Sequence, residues 1–186
     1  VGGTINIVTK NPAALGRAAK ATVSYGSYVY RDSKISASDT VGPYSMSAYG
    51  SYVNSRGYRM NNRLVKRTLT TEINRKIKNG NAFLKIRLDS EIQGMPGARK
   101  VTNSSDQVAD DPRGATTPSD KNKYNGISST FGVTRELSDN INLIIDGGFR
   151  NKDQEATTVS AFGPQYDTYI DTELVTVSLT PRIEAD

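Results

Sequence analysis

The residues of this chain best suited to chemistry are cations in one polar stretch. Arg99, Lys100, Arg113 and Lys121 all fall between Gln93 and Lys123, and Met95-Pro-Gly-Ala-Arg99 opens that stretch. Cations on a loop, beside aromatic rings, attract an anionic ligand by charge and by stacking. Arg99, Lys100 and Arg113 are therefore the candidate ligand-binding residues. The alternative is a solvated surface loop whose charges only keep it soluble. Asp106, Asp110 and Asp111 offer oxygen atoms that would suit Ca²⁺, but their spacing matches no EF-hand, and no metal site is assigned. The chain has no His and no Cys, which excludes disulfides, thiol or imidazole catalysis and the common transition-metal ligands. The adjacent Asp110 and Asp111 lie in an unpatterned loop with no apolar pocket to shift a carboxyl pKa. No catalytic set is visible, so neither an enzyme nor a cofactor is expected.

The elements that must carry this stretch are strands. Apolar and polar residues alternate with period two, the mark of a strand with two unlike faces. The pattern predicts eight strands, over residues 17–25, 33–41, 44–54, 63–77, 82–92, 124–137, 141–151 and 172–183. The fifth is the clearest, with Ala82, Leu84, Ile86, Leu88 and Ile92 against Lys85, Arg87, Asp89 and Glu91. These four inward charges read as ion pairs on the polar face. Gly42-Pro43, Lys78–Asn81 with its Asn-Gly dipeptide, and Ser138–Asn140 read as short turns. The stretches 55–62, 93–123 and 152–171 read as longer loops. The fold class is all-β, an antiparallel up-and-down meander.

Composition bounds where such a sheet can live. Of 186 residues only 35% are hydrophobic, and no run approaches the ~20 apolar residues of a membrane-spanning helix. A transmembrane β-barrel has no such requirement, because only alternate residues face lipid. The net charge is +5, but 24 Lys and Arg are interleaved with 19 Asp and Glu. A nucleic-acid surface would gather its cations on one face, so no nucleic-acid partner is expected. Short turns alternating with long loops fit an outer-membrane barrel, with turns on one side and loops on the other. Tyr25, Tyr28, Tyr30, Tyr52 and Tyr58 fall near the predicted loop rim and Tyr44 near the turn rim, as interfacial aromatics do; tyrosines also favour strands generally. Arg67 and Arg75 share the apolar face of the fourth strand, and a cation at mid-membrane costs roughly 2–4 kcal/mol. Arg75 and Arg135 lie near turns, where they can snorkel. Arg67 either does so at the other rim or marks a β-bulge that shifts the register.

The first residues sharpen the reading. Val1-Gly-Gly-Thr-Ile-Asn-Ile-Val-Thr-Lys10, followed by Asn11-Pro12, resembles the end of the plug domain of TonB-dependent outer-membrane receptors, just before the first barrel strand. The meander behind it is similar to that family's barrel wall. The resemblance implies two parts: residues 1–12 as the last strand of the plug, and residues 13–186 as the N-terminal portion of the barrel. It implies location in the cell outer membrane, in contact with its lipid. It implies active transport of a scarce nutrient, most often a ferric siderophore, driven by periplasmic TonB through an upstream segment outside this chain. Such transporters have about 22 strands, so the chain reads as a fragment that does not work alone. Two alternatives remain open: a small eight-stranded outer-membrane barrel with a structural or adhesive role, and a soluble all-β binding module.

Overall fold

A computed structural model describes residues 16–102, 105–138, 141–159 and 165–183. The segment 1–12, read as a plug strand, lies outside the described residues. The order is β1 (Ala18–Gly26), β2 (Tyr30–Val41), β3 (Tyr44–Ser55), β4 (Leu64–Ile77), β5 (Gly80–Gly94), β6 (Val101–Thr102), β7 (Ser105–Asp106), α1 (Gln107–Asp110), β8 (Lys121–Ser138), β9 (Ile141–Val159) and β10 (Gln165–Ile183). Eight long strands form one antiparallel sheet in the order β1-β2-β3-β4-β5-β8-β9-β10, and β6 and β7 pair as a separate small hairpin. Every sheet neighbour follows in sequence apart from that hairpin, so the expected up-and-down meander is the observed one.

Three expectations are corrected. The stretch 152–171 is not a long loop: β9 continues to Val159 and β10 begins at Gln165. Its residues are polar on both faces, so they show no alternation, yet Asp153 pairs with Asp171 and Glu155 with Tyr169 in the ladder. Backbone hydrogen bonds hold a strand without any apolar face. The stretch 93–123 is not without structure, since it holds β6, β7 and α1. Finally, no bulge displaces Arg67. The β3–β4 and β4–β5 registers run unbroken, with Arg67 opposite Tyr52 and Ser90. The one irregularity in the described pairings lies between Glu136 and Ser138.

The sheet is inside-out relative to a soluble protein. One row of the ladder links Ile35, Gly50, Leu69, Leu88 and Ile127, and another links Met46, Ile73, Leu84 and Phe131. Both rows lie on the same face, and Ile35, Leu69, Ile73, Leu84 and Phe131 are all exposed. Among the described residues the one buried large apolar side chain is Val65. The buried residues of the opposite face are polar: Asp32, Ser45, Thr68 and Asn74. Among the described residues no second layer packs on that face, and these side chains are buried by their neighbours on the sheet itself.

Candidate functional site

The two faces differ in what they can bind. On the polar face, charges satisfy each other across and along strands. Lys66 Nζ lies 2.9 Å from Glu91 Oε2, Arg87 Nε 3.1 Å from Asp89 Oδ1, and Lys85 Nζ 3.9 Å from Glu72 Oε2. Tyr124 donates its hydroxyl proton to Glu91 at 3.3 Å, and Lys152 Nζ sits 4.6 Å from the Tyr124 ring centroid. Lys85, Arg87, Asp89 and Glu91 thus form the ion pairs their alternation implied. Lys34 and Asp32 add another at 2.6 Å.

On the apolar face the band of exposed hydrophobics runs obliquely across the strands. Its upper end is Tyr25 on β1, Tyr52 on β3, Leu69 on β4, Ile127 on β8 and Phe149 on β9; each of the last four is followed outward by Asn54, Arg67, Asn125 or Asn151. Traced through the register, Tyr25 falls in the row of Val65 and Phe149 in the row of Thr71. That is 71 minus 65, or six residues over six strand steps. β2, whose run stops at Ile35, departs from the line, as do β4 and β5, where Val65 and Ile92 lie beyond Arg67 and Ser90. The lower edge slopes alike. Asp39 lies in the row of Ile73, while Arg135 lies opposite Gly80 in the row of Ile77, four residues over four steps. One residue per strand is ~3.3 Å along against ~4.8 Å across, an angle of about 35°.

Charges on this face stand at the band's edges with partners. The Arg67 guanidinium lies 5.7 Å from the Tyr52 ring centroid, and that of Arg75 lies 5.4 Å from Tyr44. Asp39 accepts from Arg17 Nη2 at 3.0 Å and Nε at 3.2 Å.

The loop rim holds the candidate cations, and the structure separates them. Arg113 Nε donates to the Tyr58 carbonyl at 3.0 Å, its guanidinium lies 5.9 Å from the Tyr28 centroid, and its own carbonyl accepts from Met60 N at 2.7 Å. Tyr28 and Tyr58 meet edge to face at 5.6 Å. Arg113 is therefore a clasp between loops. Lys100 is exposed, and its backbone is tied both ways to Gln107. Arg99 is half-buried, with Nη1 enclosed and lacking a hydrogen-bond partner. The acids considered for Ca²⁺ serve local turns. Asp106 caps α1 by accepting from Val108 N and Ala109 N, each at 3.0 Å, and Asp111 accepts from Arg113 N at 3.1 Å.

Two residues outside the candidate set organise this rim. Arg59 donates to three carbonyls of the long loop, Pro96 at 3.0 Å, Gly97 at 2.8 Å and Gly114 at 3.0 Å. Asn61 Nδ2 reaches Thr117 O and Asp120 O at 2.7 Å each and Met95 O at 3.2 Å. The loop packs so closely that a Cβ on Gly97, which has φ +72°, would strike Thr116 Oγ1. Asp120 is buried and accepts from Val159 N at 2.7 Å, linking the loop to the end of β9. The alternation pattern carries no mark of Arg59 or Asn61, and their loop reads only as polar. Asn61 does adopt φ 53°, a conformation Asn tolerates better than most residues.

Compared with protein-family models, with curated proteins and with solved structures, the chain has no match.

Proposed function

We propose that this chain is a wall segment of an outer-membrane β-barrel of the TonB-dependent receptor type, which takes up an anionic nutrient of the ferric-siderophore class and has no catalytic activity. The observation that carries this reading is the inverted sheet. Its apolar face is largely exposed and, apart from Val65, its buried side chains are polar, which is unfavourable in water and favourable when the apolar face meets lipid. The oblique band adds geometric support, because strands tilted 35–45° to a membrane normal carry their lipid-facing zone across the ladder at that angle. From Arg67 to Arg75 is eight residues, ~26 Å along β4 and ~22 Å after a 35° tilt, close to the ~25 Å apolar band of such barrels. In this frame the ordered rim built by Arg59, Asn61 and Arg113 faces the medium. Lys100 lies in solvent there, where it can meet an anionic ligand. A closed eight-stranded barrel is less well supported, since β1 and β10 stand at opposite ends of the described sheet order.

The chain has no Cys, so single cysteines on β5 can carry spin labels without background. In lipid vesicles, labels at 84, 86 and 88 should be relaxed by dissolved oxygen and not by nickel chelate, and labels at 85, 87 and 89, on the polar face, by the water-soluble nickel chelate. Equal access of the nickel chelate to all six would refute the membrane reading. Uptake of radiolabelled ferric siderophore, lost on deletion of the protein and reduced by Lys100→Glu, tests the transport reading separately.

A further inference from the structure

The apolar face has a concave part. Where β4 and β5 carry Leu69 with Leu88 and Thr71 with Ile86, the same two rows carry Gly50 and Ala48 on β3, and Ala37 on β2. The missing bulk leaves a groove of ≈ 470 Å³ bordered by Ala21, Val23, Ile35, Gly50, Tyr52 and Arg67. A second depression of ≈ 480 Å³ continues along the same strands, between Ala37, Met46, Ala48, Thr71 and Ile73.

We propose that this groove binds one phosphate-bearing membrane lipid, with an acyl chain along Gly50 and Ala48 and the phosphate on Arg67. The proposal rests on the membrane reading above and adds a ligand to a face otherwise expected to meet bulk lipid. Charge and shape agree on the occupant. Arg67 stands at one end of the groove, which Ser33, Lys34, Ser51 and Thr68 also border, and a guanidinium lying over a tyrosine ring keeps its N–H edge available to an acceptor. Phosphate oxygens accept from that edge two at a time. Depth agrees as well. From Arg67 to Thr71, the partner of Ala48, is four residues, ~13 Å along β4 and ~11 Å after the 35° tilt, half of the ~22 Å between Arg67 and Arg75. A chain anchored at Arg67 therefore ends near the bilayer midplane.

The test uses the protein in lipid vesicles, with flotation scored first. Failure to float overturns the membrane reading. For protein that floats, native mass spectrometry after detergent release compares three probes: phosphatidic acid, diacylglycerol with the same chains, and glycerol phosphate. Retention of phosphatidic acid alone is expected. Arg67→Gln should lower that retention about tenfold, and Ala48→Phe, which fills the trough with another apolar side chain, should do the same. Arg75→Gln removes the matching cation at the other edge and should leave retention unchanged. Should Ala48→Phe lose its β-sheet circular dichroism, Ala37→Leu tests the same groove. Equal retention of phosphatidic acid and diacylglycerol, or equal losses from Arg67→Gln and Arg75→Gln, would overturn the lipid site while leaving the membrane reading intact.

Discussion

The sharpest test of the inverted sheet is a pair of adjacent substitutions on β3, Ala48→Arg and Ser47→Arg. Ala48 lies on the apolar face, paired with Ala37 and Thr71. It stands four residues from both Tyr52 and Tyr44, which face Arg67 and Arg75 across the ladder. Four residues are ~13 Å along the strand, and a 35° tilt makes that ~11 Å of depth from either edge. An arginine side chain cannot span that distance to the head groups at both sides or comfortably at one. The expected destabilisation is ~2–4 kcal/mol, the value for a cation at mid-membrane. Ser47 points to the other face and pairs with Glu72, so an arginine there gains a carboxylate neighbour. Its expected effect is below ~1 kcal/mol. The assay is a guanidinium titration in phosphocholine vesicles followed by far-ultraviolet circular dichroism, compared at matched slopes. If Ala48→Arg costs no more than Ser47→Arg, the apolar face does not meet lipid and the membrane reading falls. A soluble sheet would give that result, because an arginine added to a water-exposed face changes stability by only about ±0.5 kcal/mol.

Two further outcomes follow from the loops. Asn61→Ala removes the donor shared by the carbonyls of Met95, Thr117 and Asp120, at a local cost of ~1–3 kcal/mol; limited proteolysis should then cut within residues 95–120 at least several times faster, with β-sheet content unchanged, and an unchanged cleavage rate would show that the loop is held by other contacts. Val29 has φ 58° in the three-residue link between β1 and β2, a conformation that costs a β-branched residue ~1–2 kcal/mol; Val29→Asn should raise the unfolding midpoint by ~1 kcal/mol equivalent in a denaturant titration, whereas a loss of stability would mean that the Val29 side chain contributes more by packing.

What could be read from the sequence depended on whether burial or only backbone pairing set the pattern. Leu84, Ile86 and Leu88 alternate with Lys85, Arg87 and Asp89 because the two faces meet different surroundings, and the observed register keeps that parity through β4, β5 and β8. The ends of β9 and β10 were hidden for the opposite reason. Asp153, Glu155, Asp171 and Glu173 lie in polar surroundings on both sides, so nothing in their order distinguishes a strand from a loop. The candidate cations were legible as a group by position in the loop, but their separate roles were not. Arg113 clasps Tyr28 and Tyr58 through contacts over more than fifty positions in sequence, a separation at which residue type alone carries no pairing information. Arg59 and Asn61 escaped for the same reason.

The arginines that first looked like exceptions are the strongest internal check on the geometry. On an untilted band Arg67, Arg75, Arg135 and Asp39 would be scattered charges on an apolar face. Placed on a band that moves one residue per strand, Asp39 and Arg135 fall on one line with Arg75 between them, and Arg67 falls on the opposite line. Arg67 and Arg75, both on β4, lie over tyrosines of β3, the side chains that favour a boundary with one wet and one apolar side. A sheet packed on a second layer in water needs an apolar patch but has no reason to bound it by two parallel, sloping lines, one of charges and one of asparagines with Arg67. Two such lines about 22 Å apart are what a slab of hydrocarbon imposes on tilted strands. On the proposed membrane reading, the arginines' position on the apolar face follows from the same tilt that sets the height of the band.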